Sequence, residues 1–191
     1  METPATLRLF IAIETPPRIK ALISPVIAEL KEIGAEVKWE PPEKLHATLK
    51  FLGDTHEQLV GSIVAGIERV CRSHEPILIQ YSRAGAFPPG RHPRVIWMGI
   101  DDLDDHLRQV YLALENAMEE LGVERENRDF KPHLTMGRVK GNKRLERLLE
   151  KMETVTFQSE PLLIHELALV KSDLKPGGSV YTTVKSFPFR T

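Results

Sequence analysis

LHATLKFL (residues 45–52) and HLTMGRV (residues 133–139) are the two stretches on which the reading of this chain turns. A strand carries successive side chains on opposite faces. His46 and Thr48 therefore share one face and Ala47 and Leu49 the other; His133 and Thr135 stand against Leu134 and Met136 in the same way. Each segment can bury an apolar side and present an imidazole with a hydroxyl two residues on. One such His-x-Thr carries little weight, because partly buried histidine is common. Two copies of equal parity, both at strand starts just beyond a proline (Pro42, Pro132), point to a matched pair. The same alternation puts Lys50 on the His46 face, at the rim of any cleft, and turns Arg138 away from the Thr135 face.

Working outward, the pattern predicts a strand over 6–14 (TLRLFIAIE) and a helix with apolar residues from Ile19 to Leu30, closed by Gly34. A short extended piece over 37–39 and a turn at Pro41-Pro42 lead into the first His-x-Thr strand. A helix over 56–72, a strand over 77–86, a turn-rich 87–94 and a strand over 95–100 follow. A helix is expected over 101–121, its acidic start suiting the dipole, then a charged loop over 124–132. Beyond the second His-x-Thr strand come a short helix over 143–152 and strand-like runs over 155–158, 162–171 and 180–187, with a turn at 175–178. Those last connections are too short for helical crossovers, which favours α+β with a mixed or antiparallel sheet over a doubly wound parallel one. Each half repeats strand, long helix, proline turn and His-x-Thr strand, a sign of internal duplication. No linker or low-complexity run divides the chain, so residues 1–191 read as a single domain.

Composition excludes several classes. With 41% hydrophobic and 28% charged residues the chain is not disordered, and a net charge of −1 argues against gripping long stretches of nucleic-acid backbone. A small pocket for one terminal phosphate stays open. No apolar run approaches the ~20 residues of a membrane span, and the N-terminus lacks the basic region of a signal peptide. Cys71, the single cysteine, excludes an internal disulfide and a multi-cysteine metal site, suits a reducing cytoplasm and lacks the setting of a nucleophile. Asp101, Asp102, Asp104 and Asp105 read as a helix start rather than a metal cluster. His56, His74, His92, His106 and His165 have no repeated context and read as surface or capping residues; His92 lies in a turn beside Arg91 and Arg94.

Imidazole titrates near neutrality, with an unperturbed pKa of ~6.5. In-line attack on a phosphodiester needs a base on the incoming oxygen and an acid on the leaving one, on opposite sides of phosphorus. Two histidines across a cleft can fill both roles without a metal, each worth ~10²–10⁴ in rate. Threonine hydroxyls beside them can donate to the non-bridging oxygens. Arg8, Arg128 and Arg138 are candidates to neutralise phosphate, Lys50 to line the rim, and Phe10 and Tyr181 to stack a base.

Six segments carry a family resemblance: RLFIAI (8–13), WEPPEKLHATLKFLG (39–53), FPP (87–89), RVIWMGI (94–100), FKPHLTMGR (130–138) and PGGSVY (176–181). Together they resemble the RNA 2',3'-cyclic phosphodiesterases, formerly called 2'-5' RNA ligases, of the two-histidine phosphoesterase superfamily. The resemblance covers nearly the whole chain in the family's order. It implies two α+β lobes related by a pseudo-twofold axis, with mostly antiparallel sheets flanking a central cleft and helices outside. The implied activity is hydrolysis of a 2',3'-cyclic phosphate to a 2'-phosphomonoester, with 2'-5' ligation when an RNA 5'-hydroxyl replaces water. It makes His46 the proton donor, His133 the proton acceptor, and Thr48 and Thr135 phosphate ligands. Ala47 is smaller than the aliphatic residue expected there, and Gly137 stands where a small residue is expected. The implied partner is RNA or an oligonucleotide with a cyclic phosphate end, met by a cytoplasmic monomer with no metal or other cofactor. Two rival readings remain: a non-catalytic module that binds RNA ends or nucleotides, and a metal-dependent phosphohydrolase using the same histidines as ligands.

Overall fold

The structure, a computed structural model, describes residues 5–190; residues 1–4 and Thr191, counted above within the single domain, lie outside the described residues. β1 (Thr6–Glu14) buries Leu9, Ile11 and Ile13 on one face and Phe10 and Ala12 on the other. That is why its sequence is a continuous apolar run. α1 (Pro17–Glu32) starts on a proline, whose missing N–H has no intrahelical partner to lose, and buries Ile19, Ile23, Ile27 and Leu30. Gly34, at φ 68°, turns the chain out of it. β2 (Val37–Trp39) and a 3-10 turn (Pro42–Lys44) lead to β3 (His46–His56) and α2 (Glu57–Ser73). The second half holds β4 (Ile77–Phe87), β5 (Val95–Asp102), α3 (His106–Glu119), β6 (His133–Val139) and α4 (Leu145–Glu153). β7 (Leu162–Ile164), β8 (Glu166–Lys175) and β9 (Gly178–Pro188) finish the chain.

The strands form two sheets, ordered β3-β1-β8-β9 and β2-β6-β5-β4-β7, and every pairing within them is antiparallel. The expected α+β class is what is found. In one sheet β1 and β3 are neighbours with α1 between them in sequence; in the other, β5 and β6 are neighbours with α3 between them. The halves exchange strands: β2 crosses to pair with β6, and the β8–β9 hairpin returns to extend the sheet of β1. A shared apolar core joins Leu9, Ile11 and Ile13 from the first sheet, Ile96, Met98, Leu134 and Met136 from the second, and Ile23, Ile67, Leu114 and Leu148 from the helices. A smaller cluster of Phe10, Ala12, Ala168 and Val170, with Tyr181 packed on it, lies on the other face of the first sheet.

Three expectations need correction. The helix expected over 101–121 starts at His106, because Asp101 and Asp102 still pair in β5 with Gln80 and Ile79. Asp102 nonetheless caps α3 from outside, its carboxylate accepting from the N–H groups of Leu107 and Arg108. The strand expected over 155–158 is only an isolated bridge between Ser82 and Gln158. The run over 162–171 is two strands in different sheets, β7 against β4 and β8 against β1, parted at His165.

Candidate active site

His46 and His133 are each the first residue of their strand. Each Nδ1–H donates to the carbonyl two residues back, His46 to Lys44 and His133 to Lys131, both at 2.7 Å. A carbonyl can only accept, so Nδ1 carries a proton in both rings and Nε2 is the titrating atom. The two halves use the same local device, a Lys-x-His in which the lysine's main chain, not its ammonium, sets the tautomer.

From His46 to Phe51 and from His133 to Arg138 burial follows one order: half-buried, buried, half-buried, buried, buried, exposed. The order departs from alternation because each strand bulges just after its threonine. Ala12 faces Thr48 while the adjacent Ile11 faces Lys50, leaving Leu49 as the extra residue; Trp97 faces Thr135 while Ile96 faces Gly137, leaving Met136. Past a bulge, parity reverses.

That reversal overturns two expectations. Lys50 is not at the rim. It points into the core, where its ammonium meets Glu115 Oε2 at 2.8 Å, with side chains only 3% and 2% exposed, and donates to the Glu124 carbonyl. Arg138 is not turned away. It pairs with Val95, two steps from Trp97, and so shares the face of His133 and Thr135. Phe51, exposed and opposite Phe10, takes the matching place in the first sheet.

β3 and β6 pack against each other across the two sheets, and the Arg138 charge reaches both imidazoles. Both rings are held below the usual histidine value, chiefly by burial; the backbone hydrogen bond opposes this in each, and Arg138 adds to it in each. Glu40 raises His46, and Arg128 further lowers His133. His46 stacks on Phe10 (ring centroids 4.8 Å apart) and meets the Tyr181 ring edge-on at 5.0 Å. His133 meets Phe87 edge-on at 5.0 Å, with Trp97 behind. Each imidazole is thus held by an aromatic wall that desolvates it.

The remaining expected site residues divide. Phe10 is 2% exposed and forms the bed of His46, so it offers no open ring for a base. Tyr181 is half-buried and touches His46. Arg128 stands near His133 but gives its guanidinium to Glu126 through two bonds, of 2.9 and 2.6 Å, holding that carboxyl down to about 2. Arg8 shares a face with Phe10, yet lies six residues from Glu14, the partner of His46, or ~20 Å along the strand. It faces Asp54 at 3.9 Å, and the structure does not bring it to the histidines. Cys71 is buried, its thiol pushed up to about 12 by burial, and supplies no thiolate at neutral pH. Phe87, Trp97 and Phe51 are not marked by the strand alternation; only Trp97 has a local signal, in Gly85 and Gly99, where a side chain would collide with or crowd its indole.

With this geometry in hand, the comparisons are consistent. The model of the 2'-5' RNA ligase superfamily matches residues 23–176. The RNA 2',3'-cyclic phosphodiesterase of Methanothermobacter thermautotrophicus is 33% identical over 181 residues, 94% of this chain and 97% of that one. Its namesake in Methanocaldococcus jannaschii is 33% identical over 184 residues, 95% and 100% of the two chains. Among solved structures, TT0787 of Thermus thermophilus superimposes with a TM-score of 0.81 at 26% identity, covering 96% of this chain and 98% of that one. Apo LigT of E. coli shares the fold, with a TM-score of 0.78 at 24% identity over 98% and 99% of the chains. By sequence and by fold together, this chain belongs to the 2'-5' RNA ligase superfamily.

Proposed function

We infer that this chain hydrolyses RNA 2',3'-cyclic phosphodiester ends to 2'-phosphomonoesters by metal-independent acid–base catalysis. The observation that carries the reading is the repeated unit: two strand-initial histidines with identical Nδ1 caps, each two residues before a threonine, under the influence of one arginine. In this reading neutral His133 takes a proton from water through Nε2 as the water oxygen attacks phosphorus. The bond to the 3' oxygen breaks opposite, and His46, protonated at Nε2, gives that oxygen its proton. The products are a 2'-phosphomonoester and a 3'-hydroxyl, and proton exchange with solvent resets the two rings. The hydroxyls of Thr48 and Thr135 donate to the non-bridging oxygens, and Arg138 balances the charge held there. Tyr181 and the exposed Phe51 offer the nucleoside its aromatic surface.

A metal-dependent route would need the same Nε2 atoms as ligands, so the two schemes exclude each other. Turnover undiminished by EDTA supports the acid–base scheme; inhibition reversed by a divalent ion overturns it. The reaction itself is tested by phosphorus NMR of a short RNA with a cyclic end. A 2'-phosphomonoester is expected, and either a 3'-phosphomonoester or an unchanged cyclic phosphate would sink the assignment. The 2'-5' ligation run from the same cyclic end belongs to this proposal and would be seen as joined product when a 5'-hydroxyl RNA is supplied. The protein acts in this reading as a single bilobal domain, a monomer whose two lobes complete one cleft, in a reducing cytoplasm that suits its lone buried thiol. Among the described residues no helix is long and apolar enough to cross a membrane.

A further inference from the structure

Beside the histidine pair lies a second cationic feature that the reaction does not use. Lys38 and Lys44 come from different elements, β2 and the 3-10 turn, yet their ammonium groups converge on the tip of the β8–β9 hairpin. Each would stand close to a Cβ built on Gly178: 3.2 Å for Lys38 Nζ and 3.8 Å for Lys44 Nζ. Neither has a carboxylate within ion-pair distance among the described residues, whereas Arg128 is paired with Glu126, and Glu40 lies 3.9 Å from Arg138. Two like charges brought together repel unless an anion sits between them. The arrangement also leads out of the reaction centre. Lys38 is the cross-strand partner of Arg138, so it shares the face that the bulge in β6 turns toward His133. Arg138 lies two register steps past Thr135, ~7 Å at the rise of a strand, with Lys38 one strand spacing to the side. That is about the reach of one nucleotide from the phosphorus under attack.

We propose that Lys38 and Lys44 form a subsite for the phosphodiester immediately upstream of the cyclic end, which makes an oligonucleotide a better substrate than a mononucleotide. The proposal rests on the cyclic phosphodiesterase reading of the cleft. The polymer's last internal phosphate lies between the two ammonium groups at the hairpin tip, while the terminal nucleoside faces Phe51 and Tyr181. The subsite reads charge and spacing, not base identity, since it is built of two point charges.

The test compares kcat/KM for adenosine 2',3'-cyclic phosphate with that for a trinucleotide bearing the same end, in the unaltered protein and in Lys38→Gln and Lys44→Gln. Each substitution should lower the trinucleotide-to-mononucleotide ratio about fivefold, the upper range for one exposed ion pair. Taking the ratio cancels any effect that Lys44 exerts on His46 through its carbonyl. A trinucleotide whose last internal phosphate is a neutral methylphosphonate should lose the same preference in the unaltered protein and be indifferent to Lys38→Gln. An unchanged ratio in both variants, or losses from the substitution and from the methylphosphonate that simply multiply, would overturn the subsite. Turnover of neither substrate would overturn the hydrolase reading and the subsite with it.

Discussion

β3 and β6 are the same strand as far as their threonines, and different strands beyond. Both open with a histidine capped by the carbonyl two residues back, both bulge after the threonine, and both pass through the same order of burial. After the bulge, β3 places Lys50 inward and Phe51 toward the cleft, where β6 places Gly137 inward and Arg138 toward the cleft. The histidine faces of the two strands are therefore alike at the imidazoles, where the proposed reaction needs two proton carriers, and unlike on either side of them. The first sheet offers an aromatic surface of Phe51 and Tyr181; the second offers the cation of Arg138, extended by Lys38. The proposed binding mode follows from this difference, with the nucleoside toward Phe51 and Tyr181 and the upstream phosphate toward Arg138 and Lys38.

The sharpest way to break the symmetric half of this comparison is to remove each imidazole. His46→Ala and His133→Ala should each lower kcat by about 10²–10⁴-fold, the range for one positioned acid or base, with circular dichroism unchanged. Because the two act on one transition state, the double variant should be little worse than either single one. Near-normal turnover in one single variant would leave only one histidine at work.

The next effect concerns the inward side. Lys50 and Glu115 form a buried pair that joins β3 to α3. Glu115 Oε2 also accepts from the Glu126 N–H, and Lys50 donates to the Glu124 carbonyl, so the pair pins the loop that leads to His133. Lys50→Met strands the carboxylate and should lower unfolding stability by about 3–5 kcal/mol, read by urea denaturation. Adding Glu115→Leu should restore much of it, since replacing both partners is far less costly than removing one. Failure of the second substitution to restore stability would mean that the loop contacts, not the charge pair, carry the energy. At the matching position Gly137 has no room for a side chain, because a Cβ there would stand 2.6 Å from Val37 where β2 crosses β6.

The bulges also mark the limit of what could be read before the fold was seen. The two His-x-Thr units, the α+β class, the duplicated order and the small residue at Gly137 follow from local pattern and resemblance. The faces of Lys50 and Arg138 do not. A bulge adds one residue without changing composition, so strict alternation carried past Thr48 and Thr135 assigns both to the wrong side. The crossing of β2 and the return of the β8–β9 hairpin are long-range events as well, and they bring Lys38 and Tyr181 beside Lys44, which the chain already places two residues before His46.

A smaller loss is expected from the hydroxyls. In the proposed reaction Thr48→Ala and Thr135→Ala each remove one donor to a charged oxygen, a contact worth about 1.5–3 kcal/mol, so kcat/KM should fall roughly 10–150-fold. Thr→Ser should keep most of the rate. Equal losses in the two strands would extend the symmetry from the imidazoles to the hydroxyls; unequal ones would assign the transition-state charge mainly to one lobe.

The finest difference between the lobes lies in their electrostatics, and pH resolves it. In the proposed scheme the active free enzyme carries a proton on His46 Nε2 and none on His133 Nε2. The acid limb of a kcat/KM profile then reports loss of the base, and the alkaline limb loss of the acid. Burial holds both groups below 6.5, so the bell should be centred on the acid side of that value. The same shift makes folding pH-dependent. Below 6.5 the unfolded chain takes up protons that the native rings resist, so the stability from these two sites, complete above 6.5, is lost as pH falls through their folded values. Arg138 lowers both rings, so Arg138→Gln should move both limbs to higher pH. Glu40 raises His46 and is not among the charges that shift His133, so Glu40→Gln should draw in the alkaline limb alone and narrow the bell. Arg128 acts on His133 and not on His46, so Arg128→Gln should move only the acid limb, upward. If Glu40→Gln moved the acid limb instead, the donor and acceptor would have to exchange places: β6 would supply the acid, β3 the base, and attack would come from the opposite side of phosphorus.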